Sequence, residues 1–310
     1  MKILLLNLEF DCAGVSWNLR TALRAAGHEA VHVAYRPTAA APHSDKFFKR
    51  VEEILPLCEW ADVLHFNQWI WTHHPGKDPY LFMPVNDYGS GSPFDSVLKK
   101  KKVVYHLHCG PHQLNPQYWL DKCAEAGAAV FKCDPISPIN AKWMPNVLDM
   151  PVSRKFNPMT SPMSVCIYGS FSDTRRTNCQ IRDALEYLGV PFKFFVDDPR
   201  EQALVGRSRF PLTIDNLTQG FVGMWAWEAM AMGQPVIARI DEVAADKYAE
   251  MFGGPVPFLH APNIDWVGWW ISRLEDRSRL AAVSDNVMSW IARCYRPETI
   301  VGMYLAEYAK

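Results

Sequence analysis

The sequence has almost no charge of one sign to spare: its formal net charge is −1. That gives no general pull towards nucleic acid or an anionic membrane surface. It has no CxxC pair and no zinc spacing, because its eight cysteines are scattered at 12, 58, 109, 123, 133, 166, 179 and 294. Reduced thiols and a cytoplasmic setting are therefore expected rather than a disulfide framework. No apolar run is long enough to span a bilayer, so stable membrane insertion is not expected. The N-terminus opens directly on an apolar strand, and no signal peptide is expected. Internal repeats and low-complexity tracts are absent too, which excludes solenoid and compositionally disordered classes.

What is there is ordinary for a soluble globular chain: 49% hydrophobic and 21% charged residues in 310. That length exceeds what one core usually holds, so two domains are expected. The most informative stretch is Pro211 to Ile240, PLTIDNLTQGFVGMWAWEAMAMGQPVIARI. Leu212 and Ile214, then Val236, Ile237 and Ile240, are short apolar runs of strand type. Val222 to Met232 is rich in Met, Ala and Trp without proline, and reads as a buried helix. Gly233 stands at its C-cap position and Pro235 stops it. Gly220 and Gly223 flank its start, where backbone N–H groups and the positive dipole end suit a phosphate. Glu228 is the one carboxylate in this apolar helix, so it needs a partner. Two readings follow: a ligand hydroxyl in a site, or a structural tie to a backbone group or an arginine.

Asp215, Gly220, Gly223, Glu228-Ala229-Met230-Ala231, Gly233 and Pro235-Val236 resemble the nucleotide-sugar signature of the GT-B-fold glycosyltransferases. The match is closest to the retaining group called glycosyltransferase family 4, or glycosyl transferases group 1. The resemblance implies an α/β fold of two Rossmann-like domains facing across a cleft. It also implies that Glu228 serves the ribose and that Asp215, Gly220, Phe221 and Gly223 line the donor diphosphate. The usual pattern has two glutamates eight positions apart; this chain has Gly220 in the first place, which bears on the sugar that is taken.

Taken in order, Lys2–Asn7 is a buried strand, Val15–Ala26 a helix closed by Gly27, and His28–Tyr35 a second strand. This is a βαβ unit with a parallel sheet. The loop with Ala13 and Gly14 ends the first strand. It is either a tight turn needing one glycine or, as the resemblance implies, a donor loop with Gly14 as contact. Asp62–Phe66 is a further strand, and the loop after it is crowded with aromatics. Trp69, Trp71 and His73 read either as an acceptor-binding wall or as packing under a long loop. Val103–His108 is a strand in which His106 and His108 share one face. The resemblance puts a catalytic histidine at the end of this strand, hence His108; the other reading is a hydrogen-bonded structural histidine.

Asp149–Pro162, with its prolines, is the expected linker. Ser164–Tyr168 then starts a second α/β unit, with a polar turn through Asn178 and a helix from Cys179 to Leu188. Arg175 and Arg176 fall in that turn, where the resemblance implies a basic pair on the donor diphosphate. Guanidinium groups bind phosphate oxygens bidentately, and two arginines at a helix start otherwise oppose the dipole. Phe192–Val196, Val256–Leu259, and helices over 201–208, 264–274, 279–293 and 298–308 complete the pattern.

The expected organisation is an N-terminal Rossmann-like acceptor domain over 1–155, a C-terminal Rossmann-like nucleotide-sugar-binding domain over 156–296, and a terminal helix over 297–310 crossing back to the first. The expected activity is transfer of a hexose or pentose from a nucleotide sugar to an acceptor hydroxyl, with retention. No metal is expected, since arginines and helix N-termini can carry leaving-group charge. The nucleotide sugar is a substrate, so no cofactor is expected. The acceptor is a glycan, a small molecule or, through the basic run Lys99–Lys102, a modified nucleic-acid base. A non-catalytic nucleotide-sugar-binding module and a sugar epimerase of the same fold are the remaining alternatives.

Overall fold

The computed structural model describes residues 1–7, 14–34, 43–69, 97, 100–108, 124, 127–137, 140–168, 175–195, 198–215 and 217–310. At 51, 68, 69, 168, 175 and 176 it describes the backbone alone. The chain forms two compact units, Met1–Asp149 with Pro297–Lys310, and Met150–Arg296. The division falls ahead of residue 155 for a physical reason. Ser153 and Lys155 donate backbone N–H groups to Ala231 and Met232 carbonyls, and Arg154 holds Ser284 Oγ at 2.9 Å and the Asp285 carboxylate. The start of the expected linker is thus already anchored on the second unit.

The first unit is built on a seven-stranded sheet among the described residues. Its strands are β1 (Lys2–Asn7), β2 (Glu29–Ala34), β3 (Lys46–Phe47), β4 (Val63–Trp69), β5 (Lys102–His108), β6 (Ala129–Lys132) and β7 (Lys142–Trp143). They run parallel in the order β3-β2-β1-β4-β5-β6-β7. Strand alternation divides this sheet sharply. One face carries Leu4, Leu6, Val33, Leu64, Phe66, Val103 and Tyr105, packed on Phe48, Ile54, Cys58 and Ala61 around helix α2 (Leu55–Trp60). The other carries Asn7, His32, His65, Asn67, His106 and His108, all buried. The register sets Leu5 beside both His32 and His65, Asn67 beside His106, and Trp69 beside His108.

Helix α1 (Val15–Ala25) follows β1, and Gly14 before it holds φ 70°, a left-handed turn that favours glycine. Asn18 in α1 donates to the Val147 carbonyl at 3.2 Å. The terminal helix, Pro297–Tyr308, belongs to this unit and lies against α1. It brings Tyr304 and Tyr308 onto the polar face of the sheet.

The second unit has five parallel strands among the described residues: β8 (Val165–Tyr168), β9 (Phe192–Phe195), β10 (Leu212–Ile214), β11 (Val236–Ala238) and β12 (Leu259–His260). Their order is β12-β11-β10-β8-β9. The helices between them are α3 (Arg175–Tyr187), α4 (Arg200–Arg207), α5 (Met224–Ala231) and α6 (Glu242–Phe252). Helices α7 (Ile264–Leu274) and α8 (Arg277–Cys294) follow, so the terminal helix is α9. Six of the seven α5 residues besides Glu228 are buried, as expected of a helix apolar on every side.

Candidate functional site

In an open parallel sheet, ligands bind outside the carboxyl ends of the strands, where the strand order reverses. In the second unit that point lies between β8 and β10. The chain leaves β8 for β9 on one side and leaves β10 for β11 on the other. Asp215, Gly220, Phe221 and Gly223 follow β10, and Arg175 and Arg176 open α3 after β8. The topology therefore gathers these six expected donor residues at one edge of one sheet, while Gly14 belongs to the first unit and Glu228 to the second turn of α5. The helix takes in the arginine pair, since α3 starts at Arg175 and not at Cys179.

The geometry at that edge separates open groups from core groups. Gly223 is the N-cap of α5, no side chain caps the helix there, and a Cβ added to Gly223 would meet nothing within 4 Å. The space on the Cβ side of Gly223 is thus open at the positive end of the α5 dipole. Phe221 and Asp215 are buried, and Asp215 donates its N–H to the Ile237 carbonyl at 2.9 Å. The loop between them is fixed from behind by the Val222 N–H, which donates to Tyr248 Oη at 3.2 Å.

Gly220 has φ 76°, and its carbonyl accepts the Asp241 N–H at 2.8 Å. A Cβ here would lie 2.9 Å from Asp241 Oδ1 and closer still to Cγ and Oδ2. The missing first glutamate therefore has a structural correlate: the Asp241 carboxyl group stands where a side chain at 220 would begin. Asp241 is the N-cap of α6, yet its side chain does not cap that helix. Asp276 and Asn263, at the starts of α8 and α7, do cap theirs.

Glu228 is 4% exposed in the second turn of α5. The carboxylate expected to meet a ligand hydroxyl is engaged by two guanidinium groups instead. Oε1 accepts from Arg200 Nε at 3.0 Å and lies 2.8 Å from its Nη2; Oε2 accepts from Arg207 Nη1 at 2.7 Å. Arg207 also donates Nη2 to the Trp225 carbonyl at 2.8 Å and lies 3.6 Å from the Trp225 ring centroid. Gln234 ties the end of α4 down by donating to the Arg207 and Phe210 carbonyls. Sequence reasoning missed both arginines. A usable signal existed: they are seven residues apart, two helical turns, and so share one face of α4.

In the first unit, His108 ends β5, is 6% exposed, and donates Nε2–H to Asn67 Oδ1 at 3.1 Å. His106 lies one pleat back and is fully buried, with its ring 4.3 Å from that of His108 and Nδ1 3.4 Å from Tyr304 Oη. His65 meets Tyr308 Oη at 2.5 Å and His32 meets Asn7 Oδ1 at 3.0 Å. Burial holds these imidazoles neutral: His32 is lowered to about 4, His65 to about 3, and His106 well below the usual range. Trp69 ends β4 with its backbone beside His108. Trp71 and His73 lie outside the described residues. No group of three or more His, Cys, Asp or Glu fit to hold a metal occurs among the described residues. Nor is any described helix long and apolar enough to cross a membrane.

Solved structures share this fold along the whole chain. HepE of Anabaena in complex with UDP and glucose matches with a TM-score of 0.65 at 15% identity, covering 100% of this chain and 99% of its own. HepE with UDP-glucose gives 0.63 at 15% identity, covering 99% and 100%. Sucrose-phosphate synthase from Thermosynechococcus elongatus gives 0.55 at 13% identity, covering 100% and 98%. The fold is GT-B. In this GT-B chain the expected diphosphate groups all lie in the second unit and the histidine face lies in the first. No family model and no curated protein matches the sequence.

Proposed function

We propose that this chain is a glycosyltransferase that moves a hexose or pentose from a nucleotide sugar to an acceptor hydroxyl. In this reading it retains anomeric configuration, as in glycosyltransferase family 4, and works in the cytoplasm without a metal or cofactor. The observation that carries the reading is the reversal point of the second sheet. An open, uncapped α5 N-terminus and the arginine-bearing start of α3 adjoin it. Backbone N–H groups at a helix start and arginines on a neighbouring helix start are the residue types that stabilise a diphosphate, as donor and as leaving group. The structural likeness to HepE, solved with UDP and with UDP-glucose, supports a nucleotide sugar as the donor.

In this reading Arg175 and Arg176 neutralise the diphosphate and the N–H groups after Gly223 receive it. His108, at the carboxyl end of β5, faces the reacting sugar or the acceptor hydroxyl. Trp69, Trp71 and His73 belong to the acceptor side, and Gly14 to the donor. The acceptor is a glycan or a small molecule.

The test is a thermal-shift panel of UDP-, GDP-, ADP- and CDP-sugars. A true donor at a hundred times its Kd adds roughly 2.7 kcal/mol of stability. The donor that shifts the protein is then incubated with candidate acceptors, with EDTA present, and the product anomer is read by NMR. A protein shifted by none of the four classes is not a nucleotide-sugar enzyme. An inverted product, or activity lost to EDTA, removes retention or metal independence in turn.

A further inference from the structure

Glu228 needs one cation and has two. Arg207 alone meets the need: it is 1% exposed, bonded to Oε2, and held on its other side by the Trp225 carbonyl and ring. Arg200 is the surplus. Two guanidinium groups share this one carboxylate, at side-chain exposures of 20%, 1% and 5%. Partly buried charge without a counter-ion is unfavourable. Arg200 also opens α4, where the helix dipole is positive, Pro199 offers no side-chain cap and Glu201 is the acidic residue of the first turn. A cation at that end is unfavourable again. Both costs reverse in sign if an anion binds.

The Arg200 guanidinium is not a loose surface group. Nε and Nη2 both lie on Glu228 Oε1, at 3.0 and 2.8 Å. The Nε bond sets the plane of the fork, and Nη2, close to Oε1, has no hydrogen-bond partner among the described residues, so the fork keeps donors to spare. The element carrying it, α4, starts after β9, the strand paired with β8. Arg200 is therefore on the carboxyl side of the sheet, the side on which α3 and α5 also begin.

We propose that Arg200 is an anion-binding residue of the donor site, that its ligand is a phosphate oxygen of a nucleoside diphosphate, and that Glu228 positions it. The proposal rests on the reading of this site as a nucleotide-sugar site. It gives the buried carboxylate a role distinct from contact with a ligand hydroxyl. Glu228 acts through Arg200, and Arg207 holds the other carboxylate oxygen at 2.7 Å.

The experiment is titration calorimetry with uridine, guanosine, adenosine and cytidine beside their diphosphates. The proteins are wild type, Arg200→Gln, Arg200→Lys and Glu228→Gln, with circular dichroism as a check on folding. Arg200→Gln leaves the Arg207–Glu228 pair in place, so it folds. It should bind the diphosphate about ten- to a hundred-fold more weakly, while the nucleoside binds as before. Arg200→Lys keeps the charge without the fixed fork and should recover only part of the loss. Glu228→Gln should show part of the same diphosphate-selective loss, with Arg200 still present. If wild type binds a diphosphate and Arg200→Gln binds it equally well, the inference falls and the donor reading stands. A parallel loss of nucleoside and diphosphate also overturns it, because the defect is then not at a phosphate. If wild type binds none of the four diphosphates, the donor reading falls and takes this inference with it.

Discussion

Glu228 Oε2 and Arg207 Nη1 are 2.7 Å apart, and both side chains are almost wholly removed from water. Removing one member of such a pair strands the other, which costs about 3–5 kcal/mol, whereas replacing both by apolar groups is often neutral. Arg207→Met should therefore lower stability by about that amount in urea unfolding. The double variant Arg207→Met, Glu228→Leu should recover most of it. A single variant as stable as wild type would show that the pair is not a structural tie.

The arginines that open α3 make a different prediction, because they bear on the ligand and not on the core. Changing Arg175 and Arg176 together to Ala should raise the Kd of the donor at least about tenfold, the scale of one charge-assisted bond. The unfolding midpoint should move little. Donor affinity equal to wild type in the folded double variant removes the pair from the diphosphate site.

The polar face of the first sheet predicts a pH dependence with a definite sign. His32, His65 and His106 have folded pKa values below the ordinary imidazole value, chiefly through desolvation. The unfolded chain takes up these protons below about pH 6.5 and the folded chain does not. Stability is thus fully present above that pH. It is lost as pH falls from there towards about 4 for His32 and about 3 for His65. The slope is roughly 1 kcal/mol per pH unit for each such group. Urea melts between neutral pH and the carboxylate range should show it. Tyr304, Tyr308, Phe131 and His108 face the central pair, and Asp45 and Arg20 bear on His32. Replacing His65 with Leu should flatten the slope, and a melt flat over this range in wild type would contradict the buried neutral cluster.

The elements that sequence made legible are those whose own side chains carry the pattern. Helix α7 falls at 264–274 as expected, with the Asn263 side chain accepting the Asp265 N–H at its start. Buried β1 and α5, apolar but for Glu228, are equally plain. Helix α6, short α2 and the two-residue strands β3 and β7 carried no such pattern, and β12 begins at Leu259 and not at Val256. Two-residue strands owe their existence to neighbours such as β2 and β6, which no local window contains. In the site, the apolar setting of Glu228 announced that a partner was needed. Its identity depended on how α4 lies against α5, a tertiary fact. Arg207, a residue type that usually faces water, is instead among the largest fully buried side chains.

The last prediction concerns the two histidines of β5. They share a face, but only His108 stands at the strand's carboxyl end, and its Nε2–H is committed to Asn67. That bond orients the ring at the strand end, where an imidazole is placed to accept a proton or orient a hydroxyl. His106 is shut between Phe131, Tyr304, His65 and His108, and burial holds it neutral. His108→Ala should lower turnover by about 10²–10⁴, the range of a positioned acid–base group, with donor Kd unchanged. His106→Ala should instead open a void in the packed face and lower the unfolding midpoint, with less effect on turnover per folded molecule. The measurement is turnover and donor affinity for both variants, normalised to the folded fraction. Were His106→Ala the inactive one and His108→Ala the active one, the reacting group would lie behind the strand end. Full turnover in both would place the chemistry away from β5 altogether.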